Sequence, residues 1–83
     1  MSSTIQVEAA RIPDRDRLLA ELREHGLDAE PVNEVGIVVR SEEDQETISN
    51  AVFSDVEHVI MSIGAPFVPT KHENVIYIRP PVG

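Results

Sequence analysis

Residues 41–64, SEEDQETISNAVFSDVEHVIMSIG, decide how this chain folds. Ile48, Val52, Val56, Val59, Ile60 and Ile63 recur at three- and four-residue steps, with Ala51 at the margin. At about 100° per residue these positions form one broad apolar face of an α-helix. Ser41 followed by Asp44 reads as a capping box, and Glu42, Glu43 and Asp44 place negative charge at the positive end of the helix dipole. Gly64 supplies a C-terminal stop, and Pro66 prevents continuation. A helix with one apolar side is built to lie on something flat.

The flanking sequence supplies that layer. Ile5, Val7 and Ala9 alternate with Gln6, Glu8 and Ala10, the period-2 pattern of a strand with one buried face. Pro13 and Asp14 open a first helix from about Asp14 to His25, with Leu18, Leu19 and Leu22 as its apolar stripe and Ile12 as a staple. With Gly26 at C′, Leu27 and Leu22 become the hydrophobic pair of a Schellman motif. Asp28 to Val32 reads as an edge strand, because Pro31 cannot donate to a ladder. Asn33-Glu34 makes a tight turn, and Val35 to Arg40 is a β-branched strand.

Beyond the long helix, Lys71-His72-Glu73-Asn74 reads as a turn, and Val75 to Arg79 is the last main strand, stopped by Pro80-Pro81. Phe67 to Thr70 is placed as a small extra hairpin strand beside it. The order is β-α-β-β-α-β, within one α+β domain spanning residues 1–83. In its order of elements the chain resembles the ferredoxin-like fold, a split β-α-β sandwich. That resemblance implies an antiparallel sheet in order 4-1-3-2 with both helices on one face.

Composition narrows the chemistry. The chain has no cysteine, which removes disulfides, thiol nucleophiles and thiolate metal sites. Its start, Met1-Ser2-Ser3-Thr4, lacks the basic and apolar regions of a signal peptide, and no apolar run approaches membrane-spanning length. A cytoplasmic location is the expectation. Seven basic residues against fifteen acidic ones give a net charge of −8, which argues against direct binding to nucleic acid or an anionic membrane. The acidity fits either a basic partner or an ordinary soluble surface, and the acids are spread along the chain rather than concentrated in a run.

Alternation also fixes what faces away from the helices. If Ile5, Val7, Ala9, Ile37, Val39, Ile76 and Ile78 point inward, the open face carries Gln6, Glu8, Val38, Val75 and Tyr77. These five are the candidate association surface. Tyr77 is its anchor, since tyrosine pairs contact area with a polar tip. The same pattern is also met on solvated sheet faces that carry a few β-branched residues.

Other candidates have simpler readings. Asp55 lies within the apolar side of the long helix, where a carboxylate is either a perturbed acid or a boundary residue reaching a polar partner. His25, His58 and His72 share no i, i+4 spacing, so no metal site is expected. Arg11, Arg15 and Arg17 approach a helix N-terminus, but Asp14 and Asp16 interleave with them. Arg40 and Arg79 are expected together at the end of the sheet beside the start of the long helix, paired with Glu42, Glu43 and Asp44.

Nucleotide-loop, nucleophile-elbow and C-x-x-C motifs are missing, so no catalytic residue or cofactor is assigned. Nor do the exposed aromatics of RNA-recognition domains, the paired cysteines of metallochaperones or the glycine-rich loop of acylphosphatases have counterparts. Three readings follow. The first is a non-catalytic protein-association module, with a homodimer through the open face or an edge strand as its favoured form. The second is a metabolite-binding regulatory domain resembling ACT-type modules, although a glycine-rich loop after the first strand is missing. The third is an acidic inhibitor or nucleic-acid mimic that binds a basic protein.

Overall fold

The N-terminal alternation delivers the central strand. In the computed structural model, which describes residues 3–64 and 67–79, Ser3–Glu8 forms β1 with Ile5 and Val7 buried and Gln6 and Glu8 exposed. Helix α1, Ile12–Glu24, starts two residues before the expected Asp14, with Arg11 as an extended N-cap and no side-chain cap. First-turn N–H groups lack helical partners, so Pro13 is tolerated inside the helix rather than marking its boundary. Ile12 is 48% exposed and does not act as a staple.

The end of α1 is the predicted Schellman motif. The Leu27 N–H donates to the Leu22 carbonyl at 3.1 Å and the Gly26 N–H to the Arg23 carbonyl at 3.0 Å. Gly26 sits at φ 85°, where a side chain would be strained. Strands β2, Asp28–Val32, and β3, Gly36–Ser41, then form an antiparallel pair around a turn in which Asn33 adopts φ 47°.

Helix α2, Gln45–Ile63, begins later than the Ser41 capping box implies. Ser41 is still in the ladder, paired with Ser3, and its Oγ accepts the Glu43 N–H at 3.1 Å. Asp44 is the N-cap, its Oδ1 accepting the Thr47 N–H at 2.7 Å. Hydrogen bonding from Thr47, through its side chain first and its backbone N–H second, holds the Asp44 carboxyl below its ordinary range. Gly64 at φ 76° closes the helix, as expected. The stops assigned to Pro66 and to Pro80-Pro81, the Met1-Ser2 start and the side chain of Ile63 lie outside what is described.

The sheet departs from the expected topology. The segment after α2 is a full strand, β4, Val68–His72, which turns through Glu73-Asn74 into β5, Val75–Arg79. Lys71 and His72, expected in the turn, belong to β4. The order is β2-β3-β1-β5-β4, a five-stranded mixed sheet rather than the antiparallel 4-1-3-2 layer of the ferredoxin-like fold. β5 does lie beside β1, but parallel to it. The reason is a matter of parity. The crossover through α2 lands on β4, and one extra hairpin reverses the chain before it reaches the slot next to β1.

Both helices touch the sheet and each other, and their buried residues form one cluster with the inward residues of β1, β3 and β5. Ile5, Leu22, Val39, Val52, Val56 and Ile76 at its centre have 0% exposure. Burial of this kind is worth roughly 1.5–3 kcal/mol per large aliphatic side chain. The edge strands β2 and β4 carry Pro31 and Pro69, which interrupt the outer rows of hydrogen-bonding groups.

Candidate functional site

The five residues assigned to the open face come together on it. Gln6 of β1 is in register with Val38 of β3 on one side and with Val75 of β5 on the other. One step along, Glu8 is in register with Tyr77. Gln6 and Glu8 are exposed, whereas Val38, Val75 and Tyr77 are half-buried by their neighbours. The pleat requires this placement: each of these residues alternates with a buried one, Val38 with Ile37 and Val39, Tyr77 with Ile76 and Ile78.

The extra strand widens the face. His72 pairs with Val75, Thr70 with Tyr77 and Val68 with Arg79, and Val68 is 48% exposed. On the other side of β4, Lys71 reaches towards α2, its Nζ 3.5 Å from Asn50 Oδ1. The hairpin strand expected from the sequence at Phe67 to Thr70 ends two residues short, with Lys71 and His72 placed in the turn. The alternation of Val68, Thr70 and His72 with Pro69 and Lys71 is the signal that could have found the rest of it.

Arg79 is also relocated. Because β5 runs parallel to β1, Arg79 ends beside Glu8 and Val35, far from Ser41 and the start of α2. Its guanidinium lies 4.9 Å from the centre of the Tyr77 ring, in cation–π geometry. Glu8, Tyr77, Ile78 and Arg79 line an open notch of about 410 Å³ at the carboxyl ends of β1 and β5. A carboxylate, a phenol and a guanidinium around one recess can hold a small zwitterion or a polar side chain.

The remaining charged candidates serve the scaffold. Arg40 bonds Glu30 at 2.9 Å instead of the acids at the start of α2. Arg11 binds Asp14 through Nε at 2.8 Å and Nη2 at 3.2 Å, and this hydrogen-bonded carboxylate raises the Arg11 pKa. Arg15 bonds Asp16 and donates to the carbonyls of Asn33 and Gly36, tying α1 to the β2–β3 turn. Asp55 Oδ2 lies 3.1 Å from His25 Nδ1 across the helix pair, with the His58 ring 6.3 Å from that of His25. Asp55 and His58 sit about one turn apart on α2, and only the packing of α1 on α2 brings His25 to them.

Among the described residues, no three His, Cys, Asp or Glu side chains form a group that could hold a metal ion, and no helix is long and apolar enough to cross a membrane. Comparison with family models, curated proteins and solved structures finds no match to this chain.

Proposed function

We propose that this chain is a small, non-catalytic protein-association module whose contact surface is the open face of its sheet. The observation that carries this reading is the row Val38–Gln6–Val75 beside Glu8–Tyr77. It is a half-apolar strip along the central strands, on the side that neither helix covers. Such a strip, with an aromatic anchor and a polar rim, has the make-up of an interface core. Pro31 and Pro69 weigh against strand addition at the edges, which leaves the face.

The reading is tested with a photo-crosslinking amino acid placed at Gln6 on the face or at Arg17 on the exposed side of α1, in cells producing the chain. Adducts at residue 6 and none at 17 are expected. Adducts at 17 alone, or equally at both, or at neither, contradict it.

A second reading, a metabolite-binding regulatory domain, is favoured by the notch beside Glu8, Tyr77 and Arg79. Amino acids and nucleotides that bind there would raise the melting temperature, by an amount that grows with the logarithm of ligand excess over Kd. A flat response to all of them removes this reading.

A further inference from the structure

We infer that the partner of the open face is a second copy of this chain, docked face to face across the β1–β5 seam with reciprocal Glu8–Arg79 ion pairs. The inference rests on the association reading and supplies its missing partner.

Charge distribution selects this occupant. The chain carries fifteen acidic and seven basic side chains, all within the described residues. On the open face, Asp28, Glu30 and Glu8 stand against Arg40 and Arg79, so that face is one charge short of neutral and the remainder of the molecule holds the other seven negative charges. Two copies of a polyacid repel one another through almost any other approach. A basic protein would be drawn to the helical side instead, where the uncompensated carboxylates lie.

The face is also self-complementary. A two-fold axis running between two stacked sheets, along the seam, sets every β1 residue over β5 of the other copy. Glu8, level with Tyr77 in the ladder, then meets Tyr77 of the second copy. Arg79 follows two residues further along the same strand, about 7 Å away and within reach of the two long side chains. Among the described residues the Glu8 carboxylate makes no ion pair or hydrogen bond, and the Arg79 side chain has only its stacking on Tyr77. The symmetry operation pairs both charges twice over while burying Val38, Val75 and Tyr77 between the copies.

The test is light scattering of the purified full chain over a concentration series up to about 1 mM, with Glu8→Arg, Arg79→Glu and the double variant Glu8→Arg/Arg79→Glu. Thermal melts that match the wild type at a dilution where all are monomeric establish that each variant folds. The wild type should be dimeric. Each single exchange creates like-charge pairs and should raise the dimer Kd about tenfold or more, and the double exchange should restore it to within about threefold. A double variant no better than the worse single one, or a wild type monomeric throughout, overturns the inference. In that case adducts at residue 6 in cells would still support the face with a different partner, whereas adducts only at residue 17 would remove the face itself.

Discussion

Val38 and Val39 are the same residue one position apart, yet they belong to different surfaces. Val39 is fully buried beneath the helices, and Val38 lies half-exposed on the open side. The contrast extends along the sheet, with Ile5 against Gln6, Val7 against Glu8, and Ile76 against Tyr77. One face holds the fold together, and the other is free to make contacts. Substitutions on the two faces should therefore separate into losses of stability and losses of association.

The largest stability effect should come from the helix side. Leu22→Ala or Ile76→Ala leaves a cavity in a site with 0% exposure and should cost about 2–5 kcal/mol in urea unfolding. Out of a total on the order of 5–15 kcal/mol, that brings the domain close to unfolding. On the open side, Tyr77→Arg should abolish the dimer in light scattering. The unfolding free energy of the dilute monomer should change by less than about 1 kcal/mol. A variant that unfolds instead would place Tyr77 with the core and break the contrast.

Smaller effects sharpen the account of the scaffold. Gly26 has φ 85° with nothing near its missing Cβ, so Gly26→Ala meets only backbone strain and should lose about 1–2 kcal/mol. The smallest effect concerns Asp44. Its carboxyl is held low in the folded state by Thr47, so its charge-dependent stabilisation is complete above the unfolded value of about 3.9 and fades as pH falls through the lower folded value. Asp44→Asn keeps an N-cap acceptor without the charge. Thermal melts of wild type and variant should differ by a constant amount at neutral pH, with the wild-type advantage narrowing towards pH 3.

What was legible in the sequence is what local chemistry dictates. The Leu22–Gly26–Leu27 ending needs only a left-handed glycine and two leucines at fixed spacing. The alternation in residues 5–9 and 35–40 fixed both strands and their buried sides, and hence the five face residues. The direction of β5 was not legible, because it depends on whether the stretch before it pairs as a full strand. Pro69 and the polar Lys71-His72 obscured that strand. The single extra hairpin changed the sheet from antiparallel to mixed and carried Arg79 from one end to the other. The Glu8–Arg79–Tyr77 grouping, like the His25–Asp55 contact, exists only through tertiary placement.

The central claim is that contact is made through the uncovered side of the sheet. An amide shift map of isotopically labelled chain over a dilution series tests it most directly. Concentration-dependent shifts should fall on Gln6, Glu8, Val38, Val75 and Tyr77 and leave α1 and the exposed side of α2 still. Shifts concentrated on the helices, or a spectrum unchanged up to about 1 mM, would contradict it.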